Sequence, residues 1–230
     1  MKSIILSFAL VAVLVAGLAQ QPTPAERVTA LKADLAASQA ALKQYQWIQT
    51  TTVTLNGEEK SRKQERCYYG LDGALTKVAL TPEAPPAEPR GLLRRRIAER
   101  KQEELTGFMK EAVALVHKYM PPNPALIQAA KEAGRVTVQP IDPGKRARLT
   151  FTDYLKKGDS LSLEVDLNNN HPLAANVNSY LDSDKDPITL AVTFGALANG
   201  TTYPSQYVLD SKSKNLKVTV DNSGYQKNQP

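Results

Sequence analysis

The sequence carries almost nothing suited to redox, metal or disulfide chemistry. Of its 230 residues one is cysteine and two are histidine. A lone Cys67 closes no internal disulfide, so no cross-linked framework holds the chain together. Set in a strand pattern, it reads as a small buried hydrophobe. His117 sits beside Val116 on a helical stripe, and His171 lies in an Asn-rich turn. Isolated histidines with a single cysteine make no spaced zinc site. There is no Gly-x-Ser-x-Gly elbow, no phosphate-cradling glycine loop and no dinucleotide fingerprint. The chain therefore reads as non-enzymatic and without a cofactor, with a hydrolase of unrecognised type as the catalytic alternative. Asp182-Ser183-Asp184-Lys185-Asp186 opens like a calcium loop. Pro187 stands where that loop needs Gly, however, and Thr193 where it needs a bidentate Glu. A plain hairpin turn is the reading.

Long apolar runs are also missing, except at the start. Lys2, the apolar stretch from Ile4 to Val15 and the small residues Gly17-Leu18-Ala19 have the layout of a cleaved signal peptide. The run is short for a membrane span, which needs about 20 residues. The expectation is a periplasmic or secreted protein after cleavage near Ala19. Residues 20–225 are then expected to form a single domain, with a loose tail at 226–230. Charge of neither sign dominates: 29 Lys and Arg stand against 23 Asp and Glu, a net +6. That mild excess favours acidic surfaces and says nothing about fold. Nucleic acid is excluded as a partner, because the basic residues are not interleaved with stacking aromatics.

What is present is strand and helix patterning. In Ser160–Asp166, Leu161, Leu163 and Val165 alternate with polar neighbours, the period of a half-buried strand. Similar strands are predicted at Leu173–Leu181, around Ile188–Phe194, through Tyr203–Leu209 and at Leu216–Val220. Asn199-Gly200 is the strongest hairpin signal. An N-terminal meander is predicted from Tyr45–Leu55, Lys63–Tyr69 and Ala74–Thr81, and further strands at Val136–Val138 and Ala147–Tyr154. Thr23, Pro24 and Glu26 open a helix running to Lys43. A Pro-rich loop at 81–90 leads into a long helix from Gly91 to Met120 and a short one ending at Gly134. The long helix carries an apolar stripe of Leu105, Phe108, Met109, Ala112, Val113, Val116 and Met120. Its first half carries Arg94, Arg95, Arg96 and Arg100, unfavourably placed against the helix dipole. The spacing predicts a docked second half and a projecting basic first half, hinged near Thr106-Gly107.

The order is signal peptide, amphipathic helix, meander, helical pair, second meander. Tyr45-Gln46-Trp47-Ile48-Gln49-Thr50 follows the first helix directly, and Tyr68-Tyr69-Gly70-Leu71-Asp72-Gly73 makes an aromatic turn. Together these resemble the periplasmic outer-membrane lipoprotein carriers with the LolA/LolB-like fold. The resemblance implies an α+β fold: a curved antiparallel sheet, an unclosed β-barrel, with helices covering the concave face. It also implies a hydrophobic ligand, an acyl chain or lipid, held between sheet and helices. The carriers' Arg-Pro strand pattern is absent between Arg62 and Leu80, so no gating arginine is carried over.

The apolar strand faces make Trp47, Val53, Leu163, Val165, Leu190, Val192 and Phe194 the expected ligand-lining residues. Arg94, Arg95, Arg96 and Arg100 are the expected contacts to an acidic envelope protein or an anionic membrane surface. The alternative is a ligand-free scaffold module of the envelope that uses the basic segment 90–101.

Overall fold

The computed structural model describes residues 24–80, 92–181 and 185–228. The expected signal peptide, the expected Pro-rich loop 81–90 and the expected turn at Asp182-Ser183-Asp184 lie outside the described residues, as do the side chains of Arg94 and Arg95. The chain runs α1 (Pro24–Leu42), β1 (Tyr45–Leu55), β2 (Glu58–Tyr69), β3 (Leu75–Ala79), α2 (Leu92–Tyr119), α3 (Pro124–Glu132), then β4 (Val136–Asp142) and β5 (Arg146–Thr152). There follow β6 (Ser160–Asp166), β7 (Pro172–Tyr180), β8 (Pro187–Ala196), β9 (Thr202–Ser211) and β10 (Leu216–Lys227).

All ten strands join one antiparallel sheet in the order β3-β2-β1-β10-β9-β8-β7-β6-β5-β4. Every neighbour but one is a hairpin or meander partner. The exception is β1 against β10, which pairs Tyr45 with Lys227 and Leu55 with Leu216. That seam fuses the two expected meanders into one sheet, and it carries β10 two residues into the segment expected to be loose. The outer strands β3 and β4 do not pair with each other, so the barrel is not closed. Register shifts at Gln46/Ile48, Val53/Thr54, Glu164/Val165 and Thr193/Phe194 interrupt the ladders. Each adds local twist and bend, which curls the sheet.

The helices cover the concave face. Phe108, Ala112, Leu115 and Tyr119 follow one another at steps of four, three and four along α2, the spacing of a single helical face. They pack with Ile127 and Ala130 of α3 against Leu149, Phe151, Leu161, Leu163, Val177 and Leu190 of the sheet. Val113, expected on this stripe, is 45% exposed. It sits on the flank, and Leu115 and Tyr119 take the inward positions. The helix also runs unbroken through Thr106-Gly107, where a hinge was expected. A Cβ on Gly107 would meet nothing within 4 Å, so no close packing requires glycine there. Thr106 Oγ1 returns a hydrogen bond to the Gln102 carbonyl at 2.7 Å.

Polar pins fix the helices in place. The Tyr119 hydroxyl donates to Asp159 at 2.5 Å and lies 2.8 Å from Ser179 Oγ. Asp159 is buried and also accepts the backbone N–H groups of Tyr154 at 2.6 Å and Lys156 at 2.8 Å. A buried carboxylate needs such partners to be tolerated. α1 is tied to the sheet through the start of β9. The Thr202 amide donates to Ser38 Oγ at 2.9 Å, and the Thr202 hydroxyl donates to Asp34 at 3.2 Å. His171, expected in a bare turn, joins this group with Nδ1 2.7 Å from Thr202 Oγ1.

Candidate functional site

The concave face has a second sector, built on β1, β2, β9 and β10, where side chains of another kind meet. The register sets Trp47 opposite Cys67, and Cys67 opposite Lys77 on β3. Across the seam, the shift between Gln46 and Ile48 leaves Trp47 facing the Gly224-Tyr225 step. Gly224 has φ +63°, a conformation that favours glycine, and it lets the strand bulge here. The bulge swings Tyr225 onto Trp47, with ring centroids 5.5 Å apart and planes 13° from parallel. Tyr69 approaches the other flank of Trp47 at 5.9 Å, and Tyr203 meets Tyr225 at 4.3 Å. Tyr203 lies over Gly195, where a Cβ would meet its ring at 3.0 Å. Any larger residue at 195 would push that ring off its partner.

Asn222 anchors the group. Its Oδ1 accepts from Trp47 Nε1 at 3.2 Å and from Gln49 Nε2 at 3.1 Å, and its Nδ2 donates to the Pro204 carbonyl at 2.9 Å. Gln49 in turn accepts from Lys77 Nζ at 2.5 Å. A polar chain thus runs from the β3 edge to the indole beneath the tyrosines.

The tyrosine hydroxyls divide into two populations. Those of Tyr45, Tyr119, Tyr154 and Tyr180 each have a protein hydrogen-bond partner. Those of Tyr68, Tyr69, Tyr203, Tyr207 and Tyr225 have none among the described residues; Tyr68, opposite Gln46, alternates to the other face of the sheet from Cys67 and Trp47. All of the second group are half-buried. Burial, with a smaller contribution from Tyr69, pushes the Tyr207 phenol up to about 12. Burial also raises Tyr225, with added repulsion from Tyr207, Tyr203, Cys67 and Tyr69. Tyr207 and Tyr225 therefore stay protonated at neutral pH and keep their capacity to donate. Cys67 is fully buried, and burial pushes its thiol up as well, which makes it a poor nucleophile. Among the described residues, no three His, Cys, Asp or Glu side chains converge where a metal ion would bind.

The expected lining residues separate. Leu163, Val165, Leu190 and Val192 are 2–4% exposed and closed into the core by Phe108, Leu115, Tyr119 and Ile127. The bulk of these helical side chains occupies the space a ligand was expected to fill. Val53 and Phe194 are half-buried on the margin of that core, and Trp47 belongs to the aromatic cluster. Of the basic run, Arg96 and Arg100 are exposed on α2. A groove of about 470 Å³ on the outer face of α2 is lined by Gln102, Glu103, Thr106, Gly107 and Lys110. Apart from Gly107, its lining residues carry polar or charged side chains.

Reasoning from the sequence missed Tyr69, Tyr203, Tyr207, Tyr225, Gln49 and Asn222 as one group. The available signal was phenols recurring on strand faces that alternation marks as inward.

No protein-family model and no curated protein matches the chain. Solved structures similar to it include a LolA superfamily protein from Nitrosomonas europaea, at 9% identity and TM-score 0.38, covering 87% of this chain and 94% of that one. A DUF1329 family protein from Desulfovibrio piger is similar at 10% identity and TM-score 0.40, over 86% and 93% of the two chains. A chain of the Pseudomonas aeruginosa MucA/MucB complex is similar at 9% identity and TM-score 0.22, over 89% and 99%. At these values the likeness says nothing of what the chain binds.

Proposed function

We propose that the chain is a non-catalytic binding protein for a hydrophobic ligand, an acyl chain or lipid, acting outside the cytoplasm. One observation carries this reading. An aromatic sector of the concave face holds Trp47, Tyr69, Tyr203, Tyr207 and Tyr225 beside, not beneath, the filled helical core. Aromatic walls with a small number of polar groups are the usual lining of a hydrophobic ligand site. No described helix is long and apolar enough to cross a membrane.

Trp47 is the only tryptophan, so it reports on this sector alone. Titration with a fluorescent fatty acid should quench or shift its emission saturably. Mass spectrometry of an organic extract of protein purified from its native source should find a stoichiometric lipid. A ligand-free protein that also fails to bind the fluorescent fatty acid would sink the reading.

A second reading rests on Arg96 and Arg100, exposed four residues apart and so on one face of α2. They suit an anionic membrane surface or an acidic partner protein, and they are compatible with ligand carriage. Crosslinking from this face in cells should give a discrete adduct. Its absence, together with indifference to anionic vesicles, would remove the reading.

A further inference from the structure

The tyrosine sector is polar in a way that a site for a bare hydrocarbon has no use for. Tyr69 and Tyr225 flank the Trp47 indole, Tyr203 meets Tyr225, and Tyr207, at the margin of the core, lies close to Tyr225; these four half-buried phenols lack a protein partner among the described residues. A buried hydroxyl left unmatched is destabilising, and replacing it by hydrogen is then neutral or favourable for the fold. Phenylalanine would supply the same rings and the same stacking. The hydroxyls are therefore unexplained by packing. A phenol hydroxyl can donate as well as accept, and a charged oxygen acceptor takes its donation most strongly. Lys77 Nζ reaches the sector through Gln49 and meets no carboxylate within ion-pairing distance among the described residues. Glu65 stands across from Gln49 and is itself paired with Lys63 at 2.8 Å.

Resting on the reading of the chain as a lipid binder, we infer that the tyrosine sector recognises the polar end of the ligand, and that this end is a carboxylate. The ligand is then a single-chain anionic amphiphile, a free fatty acid or a molecule that ends like one. Its oxygens accept from the hydroxyls of Tyr207, Tyr225 and Tyr69, and Lys77 at the rim supplies the countercharge. Its chain runs from there along Val53 and Phe194 at the margin of the core. Lys77 is exposed, so its share is modest and screened by salt.

Three twelve-carbon probes test this on the full chain, with Trp47 emission as the readout: laurate, methyl laurate and dodecyltrimethylammonium. Laurate is expected to bind best, about tenfold tighter than the methyl ester, since hydrogen bonds to a charged acceptor are the stronger. The ammonium should bind weakest. Tyr207→Phe and Tyr225→Phe should each weaken laurate about three- to tenfold while leaving the ammonium affinity and the melting temperature unchanged. Lys77→Met should weaken laurate about two- to fivefold at low salt and less at high salt.

The lipid-binding reading survives but the carboxylate inference falls if all three probes bind alike, or if the phenylalanine variants bind laurate as the parent does. Both fall if none of the probes perturbs Trp47. A large loss of stability in both phenylalanine variants would make the hydroxyls structural and overturn the inference. Tyr69→Phe provides a third, independent check should one variant not fold.

Discussion

The indole N–H of Trp47 donates to the side-chain oxygen of Asn222 at 3.2 Å, joining the chain's first strand to its last. The same oxygen serves Gln49, and the amide nitrogen serves the Pro204 carbonyl. Asn222→Ala leaves all of these groups without their partner in a largely buried place. Each such loss costs about 1–3 kcal/mol where water cannot enter. Urea unfolding should register a total near the upper end of that range, and Trp47 emission should broaden as the ring loses its fixed orientation.

The Tyr119–Asp159 pin offers a graded pair of variants. Tyr119→Phe removes one donor from a buried carboxylate that keeps its backbone partners. A loss of about 1–2 kcal/mol is expected. Asp159→Ala orphans the Tyr154, Leu155 and Lys156 amides, while the phenol keeps Ser179, and should exceed the first variant by about 2 kcal/mol or more. Equal effects in denaturant melts would mean that the backbone bonds to Asp159 contribute nothing.

Phe108 and Val113 are five residues apart on α2 and lie on opposite sides of its boundary with the core. Phe108→Ala should cost about 3–5 kcal/mol. Val113→Ser should stay within about 0.5 kcal/mol of the parent. A stability measurement on both separates the docked face from the exposed flank directly.

Alkaline pH should act through the tyrosine sector. Tyr207 has a folded-state value raised from 10.0 to about 12, and Tyr225 is raised as well. Raised values favour the neutral form in the folded state. The corresponding stability is fully present below about pH 10 and is lost as pH climbs through the folded values. The melting temperature should therefore fall from about pH 10 upward, more steeply in the parent than in Tyr207→Phe or Tyr225→Phe. Phenolate absorbance should lag behind that of the unfolded chain over the same range.

On the second reading, Arg96→Glu with Arg100→Glu should weaken binding to anionic vesicles and leave the melting temperature nearly unchanged, because both side chains are exposed. Sedimentation with vesicles of graded anionic content measures the first effect and calorimetry the second.

Much of the sheet was legible because its strands alternate cleanly. Ser160–Asp166 runs between the very residues that the period-two pattern marks, with Leu161, Leu163 and Val165 buried. The lining assignment of Leu163, Val165, Leu190 and Val192 was not decidable in the same way. Alternation marks a face that turns inward but does not reveal whether a helix fills the space before it. Phe108 and Tyr119 fill it, and they lie 55 and 71 residues before Leu163 and Leu190 respectively. The tyrosine sector was hidden for a related reason. Its members come from both ends of the chain, and what singles them out is the lack of a hydrogen-bond partner, a property that exists only once the strands have met. His171 was misjudged because its partners, Asp34 and Thr202, approach it from α1 and β9.

The seam between β1 and β10 has a consequence for how the chain comes into being. A polypeptide emerges from synthesis N-terminus first, and its early segments ordinarily begin to fold while the rest is still being made. Here β1 lacks its partner until Leu216–Lys227 has appeared, so the three N-terminal strands wait with an open edge. Pairings this distant are slow to close. A nascent or truncated chain that stops before Leu216 cannot form this seam, so the sheet stays in two separate pieces until the last strand has been made.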